Sequence, residues 1–181
     1  MRRTLLNLLM LLAVTGLLYV NTGNAEARRK QPKIPTEQEL SKAIGPSGTF
    51  APALFKDLQK GMSPGQVKDL FDRMTRVSPY GYAKAKLKGY KGVWFVRFHF
   101  AKDEATDKRQ LLKSAQIVYK PKLRKNKTFF PLMMKLSQAK WGPASDAGQV
   151  ARKIVTWLSE DKKQVIQFAR FGDRYEMNYE L

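Results

Sequence analysis

At Ala83 the apolar pattern of this chain changes period, and that change bounds the fold more tightly than any single motif. Apolar residues spaced three and four apart mark one face of a helix, whereas strict alternation marks a strand with one buried face. Ala83-Lys84-Ala85-Lys86-Leu87-Lys88 alternates, which turns Ala83, Ala85 and Leu87 inward and three lysines outward. Val93 to Ala101 alternates too, with Trp94, Val96, Phe98 and Phe100 on one face and Val93, Phe95, Arg97 and His99 on the other. Gln110 to Tyr119 reads as a third, less regular strand. The helical period returns once: Thr128 precedes Phe129, Leu132, Met133 and Leu136, and Gly142-Pro143 stops the run. Lys153–Leu158, Lys163–Phe171 and Arg174–Leu181 then form a meander whose last strand turns Tyr175, Met177, Tyr179 and Leu181 inward.

Ahead of the switch, the signals are helical. Thr36 and Glu39 have capping-box spacing, and Leu40, Ala43 and Ile44 share a face before Gly45-Pro46. Pro52 with Leu54, Phe55 and Leu58 predicts a second helix, closed by Gly61. Ser63-Pro64-Gly65-Gln66 starts a third, with Val67, Leu70, Phe71 and Met74 at i, i+3, i+4 and i+7. Joined by Gly61-Met62, the last two form a helical hairpin. The expected fold is α+β, a helical hairpin packed on an antiparallel sheet and loosely duplicated as αα-βββ then α-βββ, with halves 49–127 and 128–181 forming one domain over 49–181.

The first 25 residues read as a signal peptide. Arg2 and Arg3 precede an apolar run from Leu5 to Val20, and Ala25-Glu26-Ala27 supplies small residues for cleavage after Ala25 or Ala27. The run is short of the ~20 residues that a spanning helix prefers. Residues 26–48 read as a basic tether carrying the first short helix. The expected location is periplasmic or secreted, with no integral membrane span in the mature protein.

Gly61-Met62-Ser63-Pro64-Gly65-Gln66-Val67, leading into Phe71, resembles the BamE/SmpA-like and β-lactamase-inhibitor-protein-like superfamily of small exported proteins. The resemblance covers about residues 61–71. It implies helices packed on one face of an antiparallel sheet, an envelope or extracellular location, and binding of proteins through a sheet face or loops, without enzymatic activity. Members of the outer-membrane assembly machinery carry a lipidated Cys after the signal peptide. This chain has no Cys, so anchorage by that route is excluded.

The absence of Cys also excludes disulfides, thiol catalysis and Cys-ligated metals, and a single His leaves little room for His-based chemistry. Ser159-x-x-Lys162 has the spacing of a penicillin-binding nucleophile motif, but it falls in a turn between strands and lacks its companion motifs. No catalytic residue, cofactor or metal site is expected.

Charge is the remaining signal. Lys and Arg number 34 against 15 Asp and Glu, a net +19. Residues 77–127 alone hold 14 of the cations against 3 acids. The candidate binding residues are Lys84, Lys86, Lys88, Phe95 and Arg97 on the first sheet, and Lys120, Lys122, Arg124, Lys125 and Lys127 on the connector after it. Cations interleaved with aromatics suit an acidic protein or an anionic envelope surface, whether lipid, lipopolysaccharide or glycan. The competing use of lysines on a strand is to keep a sheet edge from pairing with other chains. The expected function is an exported, non-enzymatic binding protein; the alternative is a nucleic-acid-binding protein that is cytoplasmic or held by an uncleaved anchor. N-terminal sequencing after fractionation is expected to begin at Glu26 or Arg28, and an intact Met1 end sinks the export reading.

Overall fold

The computed structural model describes residues 34–102, 110–146 and 153–181. The signal-peptide reading, the basic run from Arg28 to Lys33 and the three acids of residues 77–127, Asp103, Glu104 and Asp107, lie outside the described residues. Among the described residues, three α-helices, α1 (Glu37–Ile44), α2 (Pro64–Leu70) and α3 (Phe129–Trp141), accompany six strands. The strands are β1 (Tyr82–Ala85), β2 (Val93–Lys102), β3 (Gln110–Tyr119), β4 (Ile154–Leu158), β5 (Val165–Phe171) and β6 (Arg174–Glu180). They form one antiparallel sheet in the order β1-β2-β3-β6-β5-β4, so the fold is α+β. Two consecutive three-stranded meanders meet along β3 and β6.

Local chemistry sets the helix starts. Thr36 Oγ1 accepts from the Glu39 N–H at 3.2 Å while Glu39 Oε2 accepts from the Thr36 N–H at 3.0 Å. Ser63 and Gln66 repeat this reciprocal pair ahead of α2. Each box satisfies two N–H groups that a helix start leaves without intrahelical partners. Thr128, expected to cap α3, makes no side-chain cap. The buried Asn126 works there instead, its Oδ1 accepting from both the N–H and the hydroxyl of Thr128.

Helix ahead of α2 is shorter than its periodicity predicts. Only Ala53–Phe55 winds, as a single 3-10 turn. The chain is captured by the sheet before it can propagate: the Gly61 N–H donates to the Leu112 carbonyl at 3.0 Å, and the Leu112 N–H donates back to Met62 at 2.8 Å. The Gly-Met turn therefore docks on β3, and α2 starts from that fixed point. It ends at Leu70 rather than running to Met74, because Met74 bridges to Ala85 at the sheet edge.

Helix α1 does not belong to a tether. Leu40, Ala43 and Ile44 are buried in the common core, so the boundary expected at 48/49 lies before this helix.

One face of the sheet carries the core. Ala83, Val96, Phe98, Phe100, Ile117, Ile166, Phe168 and Met177 meet the helices there. Phe55 and Phe71 pack on Phe98, while Phe129 and Phe130 pack on Phe168 and Tyr175. Such ring pairs contribute roughly 0.5–1.5 kcal/mol each beyond burial. The two indoles Trp141 and Trp157 lie together and donate to the carbonyls of Phe50 and Gly142. The expected faces of β2 change at one point. A register shift between Val93 and Phe95 sends Val93 into the core and leaves Trp94 exposed, although strict alternation grouped Trp94 with Val96, Phe98 and Phe100. A bulge inserts one residue and thereby exchanges faces.

Phe168 touches Tyr119, Phe129, Phe130 and Tyr175, so Phe168→Ala is expected to lower unfolding free energy by about 3–5 kcal/mol in urea titration. Leu158→Ala, at a side chain 42% exposed, is expected to stay within about 0.5 kcal/mol.

Candidate functional site on the open face of the first meander

The other face of the sheet has no described helix over it. Cross-strand register builds it in rows. One row runs Lys84, Arg97, Gln116, Asn178, Gln167, Thr156 from β1 to β4. A second runs Tyr82, His99, Ser114, Glu180, Val165, Leu158. Cations and aromatics occupy the β1–β2 end, and amides, hydroxyls and carboxylates follow.

Three predicted residues converge at that end. Lys84 and Arg97 are direct cross-strand partners, and both stand over the ring of Phe95, with Lys84 Nζ 5.2 Å and Arg97 Cζ 5.7 Å from its centroid. Like charges opposite each other on a sheet repel. Among the described residues neither has a carboxylate partner. The negative face of Phe95 offsets part of the repulsion, at about 0.5–1 kcal/mol for a cation at an exposed site. Phe95 itself is buried beneath them, so it holds the cations rather than presenting a surface.

The edge-guarding role of Lys84 is already filled. The Thr75 N–H donates to the Lys84 carbonyl at 2.8 Å, and the Lys84 N–H donates to Thr75 Oγ1 at 3.0 Å. The Ser78 N–H donates to the Tyr82 carbonyl, and the Tyr82 N–H donates to Ser78 Oγ. The outward backbone groups of β1 are thus spent, and the edge offers no template for another strand.

The remaining predicted residues lie elsewhere. Lys86 and Lys88 are exposed beyond the end of β1, in the loop to β2. The connector winds a 3-10 turn over Pro121–Lys125, pinned by buried Leu123 and Asn126, with Lys120, Lys122, Arg124, Lys125 and Lys127 outward. Lys120 and Lys122 meet Lys91 around a pocket of about 460 Å³ beside the start of α1. Glu39 crosses this pocket to Lys91 at 2.5 Å, which neutralises one of its cations. The Lys91 ammonium first, and the Thr36 N–H second, hold the Glu39 carboxyl below its usual range.

Periodicity alone does not reveal Arg76, Tyr82 and Trp94. Arg76 lies in the irregular segment that caps the edge; with Thr75, Ser78, Tyr82, Lys84 and Arg97 it lines a depression of about 480 Å³. Tyr82 stacks on His99 at 4.8 Å. Its place just ahead of an alternating run was the available signal. Trp94 reaches this side only through the bulge, where its ring lies 5.0 Å from Phe95.

Glu176, which alternation places on the face opposite Tyr175 and Met177, is nevertheless buried there. It accepts from Arg174 Nε at 2.7 Å and from Gln116 Nε2 at 2.8 Å, and Gln116 Nε2 also bonds Asn178. The Ser159 hydroxyl donates to Asp161 rather than engaging Lys162, and accepts from the Gln164 N–H; the Ser-x-x-Lys segment is a hairpin tip. Among the described residues no group of three His, Asp or Glu could hold a metal, and no helix is long and apolar enough to cross a membrane.

Because Lys91 is the first cause of the Glu39 shift, Lys91→Ala is expected to raise the Glu39 titration toward the ordinary carboxylate range, read by carboxyl NMR. A carboxylate held low in the fold stabilises it above the ordinary range and loses that contribution as pH falls through the folded value. The variant is therefore expected to narrow the acid-sensitive window at its low end. An unchanged Glu39 titration would refute the pairing.

In comparisons with known proteins, no family model, no curated protein and no solved structure matches this chain.

Proposed function

We propose that this is an exported, non-enzymatic binding protein that engages an acidic protein or an anionic envelope surface through the open face of its first meander. The observation that carries this reading is the Lys84–Arg97 pair seated on Phe95, two like charges held face to face without a carboxylate partner among the described residues. Such an arrangement costs the free protein repulsion that an anionic partner relieves. The sealed edge of β1 supports a binding use of Lys84 over edge protection. The wider charge pattern agrees, since residues 77–127 hold 14 cations against 3 acids. Membership of the BamE/SmpA-like and β-lactamase-inhibitor-protein-like superfamily is part of the same proposal. It is supported by the Gly61–Val67 motif and by the packing of the described helices on the core face of the sheet.

Replacing Lys84, Lys86, Lys88 and Arg97 together by Glu is expected to abolish salt-sensitive capture of acidic components from envelope extracts. The same charge change at Lys60, Lys68, Lys162 and Lys163, all exposed elsewhere, is expected to preserve most of it. Equal loss from both variants, or none from the first, rejects a dedicated surface on this sheet.

A further inference from the structure

We infer that the anionic partner of this face is an acidic polysaccharide, a chain of pyranose sugars bearing anionic substituents, laid across β1, β2, β3 and β6. The inference rests on the binding role just proposed and specifies its ligand chemistry. The depression at Arg76, Lys84 and Arg97 does not stop at β2. Tyr82 and Arg97 also wall a second depression of about 190 Å³, whose other lining includes His99, Ser114, Asn178 and Glu180. Because they share the Tyr82 and Arg97 side chains, we read the two depressions as consecutive parts of one shallow trough across the strands.

Its chemistry changes along its length. At the β1–β2 end stand three cations without carboxylate partners among the described residues. At the β3–β6 end stand a serine hydroxyl, an amide and the exposed carboxylate of Glu180. Between them lies the ring of Tyr82, 43% exposed and backed by His99. A glycan with acidic substituents presents matching groups: anions for the guanidinium and ammonium groups, hydroxyl donors for Glu180 and Asn178, and an apolar C–H face for an aromatic ring.

A nucleic acid strand fits less well. A single strand is held by successive rings on which its bases stack, and among the described residues lining these depressions Tyr82 alone offers a phenyl face. Spacing points the same way. The rows step by one strand, about 4.8 Å, close to the advance per sugar of an extended pyranose chain and shorter than that of an extended single strand of nucleic acid. From Lys84 to Asn178 is three such steps, about 14 Å, so the trough accommodates a short run of sugars.

The test is calorimetric titration of the full chain with hexagalacturonate, with maltohexaose as the neutral sugar and a short oligothymidylate as the nucleic acid. Saturable binding of hexagalacturonate is expected, with none of maltohexaose. Tyr82→Ala, which leaves the charge unchanged, and Lys84→Gln with Arg97→Gln are each expected to weaken it by roughly tenfold or more. Lys162→Gln with Lys163→Gln is expected to change it less than about twofold. Thermal melting confirms that each variant is folded. Three results overturn the assignment: no hexagalacturonate binding, equal loss from the Lys162/Lys163 variant, or tighter binding of oligothymidylate that also depends on Tyr82. If hexagalacturonate fails while the fourfold Glu variant still loses capture of acidic components, the glycan assignment falls and the binding role stands. If that variant loses nothing, both fall.

Discussion

The antiparallel pairing of β3 with β6 holds the architecture together. Each meander could close its own local hydrogen bonds, but each of its two outer strands would leave about half of its backbone groups unpaired, and three strands bury little. Joining Ser114–Val118 to Glu176–Glu180 merges the two into one sheet with a continuous apolar face. That face is wide enough for Phe98 and Phe168, which lie in different meanders, to sit under one helical layer. The same pairing aligns the opposite face. Gln116 meets Asn178 across it, and Glu176 is buried only because Gln116 and Arg174 both reach it. A buried carboxylate without those donors would cost several kcal/mol.

Edge closure follows from the same economy. β1 is the outermost strand of the first meander, and its free backbone groups are met by Thr75 and Ser78. The segment that does this belongs to the chain leaving α2, which explains why α2 stops at Leu70 and Met74 turns to bridge Ala85. Gly81 makes the return possible. It sits at φ +78°, and a Cβ there would lie 2.1 Å from the Phe100 carbonyl. Closing the edge also carries Arg76 to the rim of the cationic depression, so a backbone requirement and the composition of the candidate site share one cause.

The candidate site was legible only in part, for reasons that particular residues make plain. Lys84 and Arg97 were readable because alternation assigns faces, and faces survive folding when the register is regular. Alternation puts Trp94 on the wrong face because a single inserted residue inverts the pattern and leaves no signature in composition. Phe95 reads from alternation as a binding residue, yet its ring lies under the two cations. The connector lysines share their sign with the sheet lysines, but Leu123 and Asn126 pin them into a separate turn.

By itself the sequence determined what depends on near neighbours: the capping boxes at Thr36 and Ser63, the apolar period of each strand and the α+β class. It also determined what the missing cysteine excludes and where the positive charge concentrates. Tertiary structure decided what depends on distant partners. It chose which strands adjoin, cut the helix before Gly61 to a single turn, moved α1 into the core, and set Lys84 opposite Arg97 over one ring. The physical reason is range. Capping and periodicity act within a few residues, whereas strand order and face-to-face charge are settled by burying the largest apolar area among elements far apart in the chain.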